Sequence, residues 1–211
     1  MRPVWSDRKI PVATLTIVFL NVACFLIEAI LKEEKASLMF GMYTHALSVG
    51  PGAYYRVITS SFMHYGILHL ACNMLALLSF GMTMERGIGW WRFTVIYAAG
   101  MVGGALLINF AGGNGLHMGA SDALWGLMCG LFFLVIRAHG NLESILRCLV
   151  LNIAITVGFR DSISWQGHVG GGIAGLIAAA ILFSIRPRRR SRIRVADLRP
   201  ADPLPPDDTE A

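Results

Sequence analysis

Charge is scarce in this 211-residue chain: Asp, Glu, Lys and Arg together make up 15% of it, against 55% hydrophobic residues. With a mean hydropathy of +0.59, so little charge excludes a soluble domain of this size, whose apolar surface would exceed what one core can bury. The chain reads as a membrane protein. Cysteine is sparse as well. Cys24, Cys72, Cys129 and Cys148 all stand inside apolar runs without CxxC spacing, which disfavours a disulfide framework and a zinc site and leaves the thiols as small packed hydrophobes. No metal and no cofactor is expected. A small-residue cleavage site is missing after the first apolar run, so that run is expected to persist as a helix instead of leaving as a signal peptide. No internal repeat relates the two halves, which weighs against a small transporter.

What the chain does have is a series of apolar runs near the ~20 residues that a spanning helix needs. They lie at about 11–31, 62–84, 91–111, 118–136 and 163–185. A further run, about 142–158, is weaker because Glu143, Arg147 and Asn152 interrupt it. Parity decides whether it counts. Arg2, Arg8 and Lys9 precede the first run, and Arg186, Arg188, Arg189, Arg190, Arg192, Arg194 and Arg199 follow the last, so both ends are expected in the cytoplasm and the number of spans is even. Six spans put 14 of the 18 basic residues on the cytoplasmic side. The expected architecture is an all-α membrane protein, a six-transmembrane-helix bundle over 11–185 with a short cytoplasmic N-terminus at 1–10. The tail, 186–211, is basic and then acidic and Pro-rich, and reads as disordered, its basic part suited to anionic lipid and not to nucleic acid. Between the first two spans a segment of about 32–61 is too long for a hairpin, and its Tyr54, Tyr55 and Arg56 suit the headgroup interface.

In this arrangement the second, fourth and sixth helices all run inward from the outer face. Ser121 lies about three residues into the fourth, His168 about five into the sixth and His69 about seven into the second, which at ~1.5 Å per residue places all of them within ~5–11 Å of the outer edge. Asn73 follows His69 by one turn on the same face. Strongly polar groups inside spans are costly and face a bundle interior or a watery cavity, so this set is a candidate site, with Ser121 reading as a buried nucleophile. Small residues favour its assembly. Gly167, Gly171 and Gly175 make small-xxx-small steps around His168, and Gly126 and Gly130 do so below Ser121, so the two helices are expected to pack closely enough for His168 to reach the hydroxyl. Trp125, one turn below Ser121, is expected flat against the imidazole.

These residues resemble the rhomboid intramembrane serine proteases. The resemblance runs over about 10–185 and rests on Tyr55-Arg56-Val57-Ile58-Thr59-Ser60-Ser61-Phe62-Met63-His64, His69-Leu70-Ala71-Cys72-Asn73, Glu85-Arg86-Gly87, Gly119-Ala120-Ser121 and Gly167-His168-Val169-Gly170-Gly171. It implies a rhomboid-like bundle in which Ser121 is the nucleophile and His168 its base. His69, Asn73 and the Ser121 backbone N–H would be oxyanion donors, and the substrates would be transmembrane or membrane-tethered proteins in the lipid bilayer, cut near the outer end of a helix. It also implies small or helix-weakening residues at the cleaved bond and, from the chain's small size, a bacterial inner-membrane setting. The chemistry agrees: a neutral His168 can take the serine proton and return it to the leaving amine, and no third member of a triad is evident.

Two positions depart from the family pattern. Tyr55 stands where many members have Trp, and Asp122 stands where Gly commonly follows the nucleophile. Asp122 points about 100° away from Ser121 around the helix, so it is not expected to orient the base, and a helix-capping role at the positive dipole end is favoured. The rival readings are a catalytically silent relative that holds membrane clients, which retention of Ser121 and His168 opposes, and a small transporter.

Overall fold

The computed structural model describes residues 10–31, 33–111, 115–158 and 164–184. The N-terminal residues 1–9, Lys32, Arg160 and the 186–211 tail lie outside the described residues, and with them most of the charges used to orient the chain.

Helix α1, Val12–Leu31, is mostly apolar, with Thr14, Asn21 and Glu28 buried inward, and its first turn is closed from a distance. The Glu85 carboxylate accepts the Ala13 N–H at 3.0 Å, the Thr14 N–H at 2.7 Å and the Thr14 hydroxyl at 2.8 Å. A carboxylate on unpaired N–H groups at a positive helix end is favourable on both counts, and this gives the Glu85-Arg86-Gly87 stretch a structural role.

The segment read only as outer and aromatic is folded. Helix α2, Glu33–Phe40, leads to strand β1, Met42–Tyr43, then to two single 3-10 turns and helix α3, Arg56–Thr59. The last carbonyls of α2 are taken up by side chains from α3 and its cap. Arg56 donates to Leu38 O at 2.9 Å and to Gly41 O at 2.6 Å, the Tyr55 hydroxyl to Met39 O at 2.6 Å and the Thr59 hydroxyl to Phe40 O at 2.8 Å. A guanidinium at the negative end of a helix adds charge to these bonds.

Helix α4, Ile67–Ala76, passes through a π-helical turn, Leu77–Gly81, into α5, Met82–Ile88, and Gly89 at φ +87° ends the run. The predicted start at 62 moves to 67 because Phe62 closes a 3-10 turn, Ser60–Phe62, after which Met63 is extended, residues 65 and 66 bend, and Gly66 precedes the helix outside helical geometry. Helix α6 is Trp90–Ala111. Strand β2, Leu116–His117, then pairs antiparallel with β1, Met42 opposite His117 and Tyr43 opposite Leu116, and the Gly119 N–H donates to Ser60 O at 2.9 Å. The helices α7, Ser121–Arg137, α8, Glu143–Gly158, and α9, Trp165–Ser184, follow.

Among the described residues, four stretches are long and apolar enough to cross a membrane: Val12–Ile30, Ile67–Ile88, Trp90–Ala111 and Trp165–Ser184. The predicted run at 118–136 begins three residues late, at Ser121, because Gly119 sits at φ +129°, a conformation that an α-helix cannot contain. Helix α7 then has 17 residues and α8 has 16, or about 25 Å each at 1.5 Å per residue. The Glu143–Arg147 pair at 3.1 Å is exposed on both sides and contributes little.

The helices α6, α7 and α9 form the tightest part of the core. A Cβ at Gly100 of α6 would stand 3.0 Å from Ala123 Cα, and one at Gly126 of α7 would stand 2.8 Å from Gly100 Cα and 3.1 Å from Gly171 O of α9. Backbone meets backbone here, with no side chain between. This close contact holds the starts of α7 and α9 side by side.

Candidate active site

Ser121 is the first residue of α7, His168 the fourth of α9, and His69 and Asn73 the third and seventh of α4. All four, with Trp125, line one cavity of about 870 Å³. The helix starts thus bring the predicted residues to one place.

The serine is presented by its own backbone. Ala120 precedes the helix without a side-chain cap bond, and the first N–H groups of an α-helix have no partner four residues back, so the Ser121 N–H is a donor beside its own hydroxyl. Gly119 makes the approach possible. A Cβ there would lie 2.7 Å from His69 Cε1, 3.0 Å from His69 Nε2 and 3.5 Å from Asn73 Nδ2, so both its φ and its neighbours demand glycine.

On the α4 side, His69 Nδ1 and Asn73 Nδ2 are buried without a hydrogen-bond partner among the described residues. Unpartnered buried donors or acceptors each cost about 1–3 kcal/mol, and they occur where a site awaits its ligand. The His69 ring is fixed by stacking on Tyr65, centroids 5.9 Å apart, and by an edge contact with His64 at 5.2 Å. The Tyr65 hydroxyl in turn donates to Leu116 O, which ties this wall to β2. His64, before the start of α4, is 1% exposed. Its burial, with the His69 ring as the lesser cause, holds its pKa down at about 4, so at neutral pH it brings no charge to His69.

On the α9 side, the His168 ring stacks on Trp125, 5.3 Å between centroids at 24°. Its Nδ1 lies 2.9 Å from the Thr156 hydroxyl of α8. The Ser121 hydroxyl makes no hydrogen bond among the described residues, so the expected contact with His168 is reduced here to a shared cavity; catalytic bonds of this kind are commonly long before substrate arrives. Thr156 was not visible from sequence. It lies in the weakest apolar run, where a threonine is an ordinary helix residue, and only the crossing of α8 with α9 brings it to the imidazole.

Asp122 differs from the cap favoured by its position. It is in the first turn of α7, but it is 9% exposed and wedged between α6 and α9. A Cβ at Gly104 would stand 2.5 Å from Asp122 Cβ and 2.6 Å from its Cγ, and one at Gly167 would stand 2.8 Å from the same Cγ. Its carboxyl fills the space that two glycines leave. Gly104→Ala is therefore expected to lower the melting temperature of the purified protein in the Asp122 background, and to be tolerated with Asp122→Gly. The coupling in the double-mutant cycle should reach about 1–3 kcal/mol; additive effects would show that Asp122 does not occupy the gap.

A partly exposed serine at a helix start, a stacked histidine and unpartnered amide and imidazole nitrogens line one cavity, and they are carried on the apolar helices of an integral membrane protein. The rhomboid domain family matches residues 51–185, and the chain belongs to the rhomboid family. It is 31% identical over 153 residues to Rhomboid-type serine protease 2 of Emericella nidulans, covering 69% of this chain and 30% of that one. It is 34% identical over 157 residues to Rhomboid protease GluP of Bacillus subtilis, covering 71% and 30%, and 31% identical over 147 residues to RHOMBOID-like protein 5 of Arabidopsis thaliana, covering 66% and 47%. The chain thus spans about a third to a half of the length of these relatives.

Proposed function

We propose that the protein is an intramembrane serine protease that hydrolyses peptide bonds of transmembrane or membrane-tethered substrates near the outer membrane face with a Ser121–His168 dyad. The observation that carries the proposal is that the His69 ring, through Cε1 and Nε2, and Asn73 Nδ2 lie against Gly119, two residues before Ser121, while His69 Nδ1 and Asn73 Nδ2 are buried without a hydrogen-bond partner among the described residues. A protein that only holds clients has no use for idle donors beside a serine.

In this reading His168 takes the Ser121 proton as Oγ attacks the scissile carbonyl. The oxyanion is received by the Ser121 N–H and by the His69 and Asn73 side chains. The imidazolium then gives its proton to the leaving amine, and water from the cavity releases the acyl group by the reverse steps. Trp125 keeps the ring plane, and Gly119, Gly171 and Gly175 let the elements approach. The shorter α7 and α8 complete six spans, with both termini cytoplasmic as the basic residues favour, and the Bacillus subtilis relative supports a bacterial inner membrane.

Reconstituted with a single-span reporter, the protein is expected to release one product, mapped by mass spectrometry to a bond near the outer end of the reporter helix. An intact reporter, or one cut only in a flank away from the membrane, would overturn the reading.

A further inference from the structure

The base of a serine hydrolase must keep its proton on the nitrogen that faces away from the nucleophile, and a buried carboxylate usually sees to this. Here the carboxylate next to the nucleophile in sequence, Asp122, is occupied between Gly104 and Gly167. The His168 ring instead meets a hydroxyl: Thr156 Oγ1 lies 2.9 Å from Nδ1, and both residues are buried.

The direction of that bond follows from a proton count. A threonine hydroxyl has one proton and two lone pairs. Thr156 Oγ1 lies 2.8 Å from Asn152 O, one turn back along α8, and a carbonyl oxygen only accepts, so the proton goes there. Toward His168 the hydroxyl has only a lone pair left. The imidazole must then be the donor through Nδ1–H, and because neutral imidazole carries a single N–H, its Nε2 is bare.

We propose that Thr156 is a positioning residue that holds His168 in the Nδ1–H tautomer, leaving Nε2 as the base toward Ser121. The inference rests on the protease reading of the same cavity. The Nδ1 proton stays on the ring throughout: the Ser121 proton passes to Nε2 and from Nε2 to the leaving amine, while the Nδ1–H bond to Thr156 strengthens in the imidazolium. A hydroxyl performs this role without the desolvation that a second buried charge inside a membrane protein would bring. Its aim is fixed by the β-branched side chain and by its own bond to Asn152. Trp125 from α7 sets the ring plane and Thr156 from α8 its proton, so His168 is oriented by two helices besides its own.

The test uses the full chain, labelled with ¹⁵N-histidine in micelles, with the His168 ring signals assigned by their loss in His168→Ala. The parent is expected to show His168 neutral and protonated at Nδ1. Thr156→Val is expected to shift the ring toward the Nε2–H form that an unconstrained histidine favours, and Thr156→Ser to keep the parent spectrum. In reporter cleavage, Thr156→Val is expected to lower kcat roughly 10- to 100-fold with KM within about twofold, and Thr156→Ser to restore most of the loss. A parent ring protonated at Nε2, or a Thr156→Val ring with an unchanged tautomer, overturns the proposal. A parent that cuts nothing defeats the protease reading instead, and the ring spectrum still decides the tautomer on its own.

Discussion

Ser121→Ala is expected to leave a single-span reporter uncut, its rate down at least about 10³-fold, and His168→Ala to do the same, while the double variant is no slower than either single one. The lack of additivity is the informative part. A nucleophile and its base act in one step, so removing either removes the step, and a second removal has nothing left to take. Stability separates this from damage to the fold. The Ser121 hydroxyl makes no hydrogen bond among the described residues, so Ser121→Ala should melt within about 0.5 kcal/mol of the parent. His168→Ala gives up the Trp125 stack and the Thr156 bond, and is expected to lose about 1–2 kcal/mol. A parent that folds and stays inert would favour the client-holding reading; two variants that cut like the parent would place the nucleophile elsewhere.

The elements that were legible in the sequence are those whose signal is local. The runs near 12–31, 90–111 and 165–184 are continuous enough in apolar residues that helix and span coincide within a residue or two of expectation. The start of α7 was misread because Met118, Gly119 and Ala120 look apolar and small, while the conformation that excludes them from the helix belongs to Gly119 alone. The segment from 32 to 61 has no periodicity to read, since its order comes from Tyr55, Arg56 and Thr59 reaching back 16 to 19 residues to the carbonyls of α2. The site divides in the same way. Ser121, His168, His69 and Asn73 stand out because a polar residue at one depth in several apolar runs is expensive unless it converges on something. Thr156 costs nothing where it sits, as its hydroxyl is satisfied by its own helix, so composition gives no hint of the second bond. Asp122 looked like a cap because charge at a helix start has a local explanation. Its burial against Gly104 and Gly167 depends on α6, whose glycines carry no meaning until α7 and α9 are laid against them.

Gly171→Ala is expected to reduce cleavage about 10²-fold and to lower stability by about 1–3 kcal/mol. The added Cβ falls 2.7 Å from the Asp122 carbonyl carbon and closer still to its oxygen. Those atoms are backbone and cannot rotate aside, so α7 and α9 must move apart. The same movement separates Ser121 from His168, since each lies within one turn of the contact, and a displacement near 1 Å at a reacting centre is enough for a loss of this size. Gly172→Ala is the control on the same helix. Its Cβ would meet the Cys129 Sγ at 3.0 Å, a side-chain end that can turn away, and the Trp125 ring at 3.8 Å, so it should melt and cut close to the parent. The sign strengthens the comparison. Replacing a helical glycine with alanine gains up to about 1 kcal/mol in propensity, so a net loss at Gly171 beside little change or a gain at Gly172 isolates the helix approach as the cause. If the two variants behave alike, the spacing of the dyad is set by something other than this contact.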